Sequence, residues 1–132
     1  MDLCSFLHKA NTIAVVGISS NPSRDSGSIA RMLRDSGYTL LGVHPTEKDV
    51  FGIPVVSSVS DLKSPIDILD MFVKGELITP MIPEILSLKP ACVWFQYGVE
   101  NTEAETAFSQ NGIMVIKGKC LGVEVRRCGV QK

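Results

Sequence analysis

Between Gly17 and Ser26 the chain reads Gly-Ile-Ser-Ser-Asn-Pro-Ser-Arg-Asp-Ser, a stretch rich in residue types suited to gripping an anion. Gly17 allows a tight turn and a close approach of backbone to ligand. Ser19, Ser20, Asn21, Ser23 and Ser26 supply hydroxyl or amide groups, and Arg24 supplies a cation. The segment, which also contains Ile18 and Pro22, runs into the start of an expected helix. A helix N-terminus offers free N–H groups and the positive end of a dipole, so the loop has what a phosphate or pyrophosphate needs. Asp25, Ser26 and Ser28 could instead be ordinary caps of that helix. Caps would account for those residues but not for Arg24 in the same turn.

Other chemistries fit less well. The glycine pattern of a nicotinamide-dinucleotide site would need glycines where Ser19 and Pro22 stand, and an acid at the end of the second strand, where Val43-His44-Pro45-Thr46 stands and Glu47 comes late. The pattern of a nucleoside-triphosphate loop is absent. Ser19 has only His44 as a nearby candidate base, and a histidine before a proline is as readily a strand-end residue. Glu76, Glu100, Glu103 and Glu105 fall at helix starts, where acids are ordinary. No catalytic set emerges. His8 and His44 stand apart and Cys4, Cys92, Cys120 and Cys128 form no short-spaced pair, so no metal site is expected. Cys92, within Ala91-Cys92-Val93-Trp94-Phe95, reads as a small core hydrophobe. Cys120 has Lys117, Lys119, Arg126 and Arg127 near it, which could lower a thiol pKa, or it is a half-buried structural residue. All four cysteines are expected to be reduced thiols of a cytoplasmic protein.

The elements that would position this loop alternate strand with helix. Thr12–Ile18 is a nearly continuous apolar, β-branched run, as in a strand buried on both faces. Ile29, Met32 and Leu33 give an apolar stripe to a helix from about Ser28 to Ser36, and Gly37 stops it. Tyr38–Val43 reads as a second strand, followed by a loop and short strand over Phe51–Val56. Asp61-Leu62 begins the connection to a strand over Ile66–Val73. A helix starting near Thr79 or Pro83 carries Ile82, Ile85 and Leu86. Ala91–Gln96 is another buried strand, and Thr102-Glu103-Ala104-Glu105 has the form of a capping box. Gly112 ends that helix before a last strand over Ile113–Ile116. The pattern predicts an α/β, doubly wound, mostly parallel sheet of about five strands with helices on both faces, Ile13–Ile18 at its centre. Ligands of such sheets bind beyond the carboxyl ends of the strands, where strand order reverses. That rule selects Gly17–Ser28, His44–Lys48, Val73–Glu76 and Gln96–Asn101.

Size and charge set outer bounds. With 132 residues, 45% of them hydrophobic and 20% charged, the chain is expected to form one domain over 1–132. A formal net charge of −1 provides no field for a nucleic acid or an anionic membrane surface. No apolar run approaches the ~18 residues of a membrane span, and the N-terminus lacks the form of a secretory signal.

Taken in order, several short segments resemble one family. They are Ala14-Val15-Val16-Gly17-Ile18-Ser19 with Asn21-Pro22-Ser23-Arg24 and Ser26; Gly37-Tyr38; Val43-His44-Pro45; Phe51-Gly52 before Pro54-Val55; and Asp67-Ile68 leading to Phe72. Val93-Trp94-Phe95-Gln96-Tyr97-Gly98-Val99 with Asn101, and Cys120 with Glu124, complete the set. The chain thereby resembles, from about Ile13 to Glu124, the small stand-alone CoA-binding proteins related to the N-terminal domain of the succinyl-CoA synthetase alpha subunit. The resemblance implies a Rossmann-like fold that binds coenzyme A or an acyl-CoA at the C-terminal edge of its sheet, without catalysis of its own. It implies that Gly17, Ile18, Ser19, Ser20 and Arg24 contact the pyrophosphate. His44, Pro45, Thr46 and Lys48 would lie near the adenosine and its 3′-phosphate, and Phe72, Val73, Lys74, Gln96, Tyr97 and Gly98 would line the other side. His44 stands where the family has Asn, Val73 where it commonly has Arg, and Gly118-Lys119 where it commonly has Asp-Arg. The competing readings are an enzyme with an NAD(P)-type cofactor and a detached subunit of an acyl-CoA synthetase. A homodimer or a partner enzyme subunit fits either.

Overall fold

The computed structural model describes residues 2–132. Its strands are β1 (Thr12–Val16), β2 (Thr39–Val43), β3 (Asp49–Val50), β4 (Ile53–Val56), β5 (Ile68–Met71), β6 (Cys92–Phe95) and β7 (Met114–Lys117). They form one sheet in the order β3-β4-β2-β1-β5-β6-β7, with β1 at its centre. All pairings are parallel except β3 with β4. The sheet has 7 strands where about five are expected, and the short strand read over Phe51–Val56 is the hairpin β3–β4, closed by Phe51 and Gly52 at φ 53° and 85°.

Among the described residues five α-helices cover the sheet: α1 (Leu3–Lys9), α2 (Asp25–Asp35), α3 (Ile82–Leu88), α4 (Thr102–Gln110) and α5 (Leu121–Arg127). Successive side chains of a strand point to opposite faces, and both faces of β1 are covered. Ile13 and Val15 pack with Leu7 of α1, Ala30 and Leu33 of α2, and Leu121 and Val125 of α5. Ala14 and Val16 pack with Ile85 and Leu88 of α3 and Ala104 and Phe108 of α4. That double burial is why the β1 sequence is apolar without alternation.

The stretch near Pro83 resolves into a 3-10 turn over Thr79–Met81 that passes into α3 at Ile82. At α4 the cap lies one residue before the expected Thr102. Asn101 Oδ1 accepts from Ala104 N at 2.9 Å, and Glu105 Oε2 accepts from Asn101 N at 3.3 Å. The helices α1 and α5, which carry too few apolar repeats to stand out in the sequence, pack against each other at the chain ends.

The expectation of four reduced thiols is corrected here. Cys4 of α1 and Cys128 at the end of α5 form a disulfide, with Cα atoms 5.3 Å apart and 124 residues between them in sequence. The contact of the two terminal helices creates the pair, and no local spacing announces it. This removes the thiol argument for a reducing compartment. Cys92 is a free, buried thiol in the core as expected, its pKa pushed up to about 12 by burial first and by Asp70 second. Cys120 is free and partly exposed.

Candidate functional site

The chain leaves β1 toward α2 on one side, and β5 lies on the other, so strand order reverses between the carboxyl ends of β1 and β5. The ladder continues a step past the strands, with Gly17 N donating to Val43 O at 2.9 Å and Phe72 N to Val16 O at 2.8 Å. Gly17 has φ +89°, and a Cβ there would stand 2.5 Å from Phe72 O. Both the left-handed backbone and the close approach require glycine. Gly27, in the first turn of α2, plays a matching part: a Cβ on it would lie 2.4 Å from Ser19 O. Sequence reasoning passed over Gly27, although a glycine inside an otherwise regular helix start is a signal of close packing.

The loop between β1 and α2 is built largely from its own side chains. Asn21 Oδ1 accepts from Ser23 N and Ser23 Oγ, each at 2.9 Å, and Ser19 Oγ accepts from Asn21 N at 3.1 Å. Ser26, only 3% exposed, donates its hydroxyl to Gly17 O at 3.1 Å. Ser28 donates to Asp25 O, and the N-cap position, Arg24, makes no side-chain cap. Two of the three candidate caps, Ser26 and Ser28, are thus spent elsewhere, and the first N–H groups of α2 have no side-chain cap at their N-cap position.

Two clefts open here, of about 740 Å³ and about 590 Å³, and they share Gly17, Arg24, Phe72, Val73 and Lys74. The larger faces the β2 side. Ser19, Asn21, His44 and Pro45 line it, with Ser57, Ser58 and Val59 after β4 and Leu77, Met81 and Glu84 before and within α3. The smaller lies between the start of α2, the loop Gln96–Val99 after β6, and Cys120. Arg24 and Lys74, both exposed at the junction, form no ion pair among the described residues. Sequence reasoning missed the apolar wall of Val59, Leu77 and Met81, whose residues come from two connections that only the fold brings face to face.

The expected site residues divide accordingly. Gly17, Ser19, Arg24, Ser26, His44, Pro45, Phe72, Val73, Lys74, Gln96, Tyr97 and Gly98 line one cleft or both. Ile18 is fully buried, with its side chain in the core. Pro22, Thr46 and Lys48 are exposed and line neither cleft. Gln96 is 5% exposed, and its Oε1 accepts from Leu121 N at 2.9 Å. Trp94 Nε1 donates to Lys119 O at 2.9 Å, so Trp94 of β6 and Gln96 just after it hold the start of α5, and with it Cys120, against the cleft.

Ser20 turns away from the clefts. Its N–H donates to Glu47 Oε2 at 3.1 Å, and its hydroxyl donates to the same carboxylate. These bonds hold the Glu47 pKa below the usual carboxylate value. His44 organises the turn that presents Glu47: its Nδ1 accepts from Thr46 N at 3.1 Å and from Glu47 N at 3.0 Å, which puts the ring proton on Nε2. No group of three or more His, Cys, Asp or Glu side chains among the described residues is placed to hold a metal ion. No described helix is long and apolar enough to cross a membrane.

A central β1, crossovers to both sides and a cleft at the switch point define a Rossmann-like α/β domain. The chain belongs to the CoA binding domain family, which residues 11–126 match. It is 32% identical to the Bacillus subtilis (strain 168) protein YneT, described as uncharacterized, over 92% of this chain and 90% of that one. A Thermus thermophilus structure, cell-free ID.343, shares 40% identity at a TM-score of 0.92, covering 97% of this chain and 99% of that one. The dinucleotide-forming acetyl-coenzyme A synthetase 1 of Ca. Korarchaeum cryptofilum, solved with phosphate and ADP, contains the same fold. That match has a TM-score of 0.72 at 22% identity, over 86% of this chain and 26% of the synthetase.

Proposed function

We propose that residues 1–132 act as one domain that binds coenzyme A or an acyl-CoA and carries out no chemistry of its own. The observation that carries this reading is the junction of the two clefts. There the uncapped N-terminus of α2 meets Arg24 and Lys74, two cations without an ion-pair partner among the described residues. Uncapped N–H groups and free cations fit a pyrophosphate. The pyrophosphate would lie on Gly17, Ser19 and Arg24. The adenosine would extend into the larger cleft past His44 and Pro45, and the pantetheine arm into the smaller one along Val73, Lys74, Tyr97 and Gly98.

Membership of the CoA binding domain family supports the choice of ligand. So does the occupation of Glu47, the acid nearest the end of β2, by Ser20, which leaves it unsuited to gripping ribose hydroxyls. Calorimetric titration with CoA, dephospho-CoA and NAD tests the reading, together with mass spectrometry of ligands released from the purified protein. CoA is expected to bind tightest. NAD binding best would overturn the proposal, and equal affinity for CoA and dephospho-CoA would show that no side chain reads the 3′-phosphate.

A further inference from the structure

The wall of the smaller cleft is made of two connections that leave adjacent strands: Phe72–Lys74 after β5, and Gln96–Val99 after β6. The second is packed at its ends, with Gln96 buried and Val99 against the core, but its tip is bare. Tyr97 is 81% exposed, and Gly98 sits at φ +89° with open space where a Cβ would be. Gln96 ties it to the start of α5, and one further side chain ties it to the β5 connection. Asn101 Nδ2 donates to Gly75 O at 2.8 Å and to Thr79 Oγ1 at 2.8 Å, while its Oδ1 caps α4 at Ala104 N. The amide thus uses both of its donors on the β5 connection and an acceptor on its own helix. The backbones meet at the same point: a Cβ on Gly75 would stand 1.9 Å from Glu100 O, so only glycine lets the two connections touch.

We infer that Asn101 is a positioning residue that sets the smaller cleft by clamping the β6 connection onto the β5 connection at Gly75 and Thr79. This rests on the CoA reading above and adds to it which part of the ligand the clamp serves. Gly75 follows Lys74 directly, and Asn101 is three residues past Gly98, so slack in the clamp reaches both walls of the smaller cleft. The larger cleft keeps its Ser19, His44 and Pro45 walls, which follow β1 and β2 and make no bond to the clamp, while Leu77 and Met81 of its apolar wall lie beside the clamped connection. Losing the clamp therefore weakens the hold on the part of the ligand beyond the pyrophosphate, both walls of which it joins, more than the hold on the nucleotide end.

The test is Asn101→Ser. Serine caps a helix about as well as asparagine, so α4 keeps its start, but its short hydroxyl reaches neither Gly75 O nor Thr79. Affinities of wild type and variant are measured by calorimetry for CoA and for adenosine 3′-phosphate 5′-diphosphate, the nucleotide fragment without the pantetheine arm. The expected result is about tenfold weaker CoA binding, as for the loss of one or two hydrogen bonds, with fragment affinity unchanged within about twofold. A purely structural role would lower both affinities together. That outcome overturns the inference, as does unchanged CoA binding. If wild type binds neither probe, the CoA reading itself fails and this role falls with it. Thr79→Val, which removes one of the two acceptors, is expected to move the CoA-to-fragment ratio the same way by a smaller factor, and decides the matter should Asn101→Ser not fold.

Discussion

Replacing Asp70 by asparagine should make the protein more stable, increasingly so as pH rises. Asp70 lies on β5 beside Val15 of β1 and Trp94 of β6. It is 0% exposed, and neither carboxylate oxygen has a hydrogen-bond partner. Burial alone lifts its pKa well above the model-compound 3.8, because an unpaired charge in that position would lose its hydration without recompense. A raised folded pKa means that, above pH 4 or so, the folded state holds a proton that the unfolded chain has released. Stability is then greatest below the unfolded pKa. It falls with rising pH at up to about 1.4 kcal/mol per unit until the folded pKa is reached.

Asparagine is nearly the same shape, is equally unpartnered and does not titrate. The two proteins should therefore be similarly stable near pH 4, and between pH 5 and pH 7 the advantage of Asp70→Asn should grow by up to about 3 kcal/mol. Other titrating groups are shared and cancel in the difference. Urea unfolding of both proteins at pH 4, 5, 6 and 7 gives the two profiles. Parallel profiles would refute the reasoning, since they would mean that Asp70 is charged in the folded state or finds a partner there.

Arg24→Ala should weaken CoA binding about tenfold to a hundredfold, the equivalent of about 1.5–3 kcal/mol for a charge-assisted bond, with little change in melting temperature. Unchanged affinity in calorimetry would remove Arg24 from the site. Glu47→Gln should tighten CoA binding about twofold to fivefold at low salt and less at high salt, because it removes a negative charge beside the phosphate loop. An affinity independent of this charge at every salt concentration would contradict it. The Glu47–Ser20 contact, whose carboxyl pKa is lowered in the folded state, should hold above the ordinary Glu range and be lost as pH falls through the lowered value. Amide exchange at Ser20 across that range would report its loss. Reduction of Cys4–Cys128 opens a closure spanning 124 residues and should cost about 2–4 kcal/mol. Equal melting temperatures with and without dithiothreitol would count against the bond.

Local pattern settled the parts of this protein that local pattern can encode. The unbroken apolar run of β1 announced a strand covered on both faces, and the alternation of such runs with amphipathic helices announced a doubly wound parallel sheet. The glycine at the end of β1, the polar loop and Arg24 marked the edge of the sheet where the clefts lie. What the sequence did not reveal depends on contacts between residues far apart in the chain, which leave no period and no spacing to read. Cys4 meets Cys128 because two terminal helices pack together. Ser20 turns from the clefts because a carboxylate 27 residues on takes its N–H. Asn101 is one of the residues that carry the resemblance, but nothing in the sequence tells what it does until its amide is found 2.8 Å from Gly75 O. Asp70, one polar residue in an apolar strand, could have paired or faced water. Only the packing of β1 and β6 on either side decided that it does neither, and so made a surface-type residue into a buried acid.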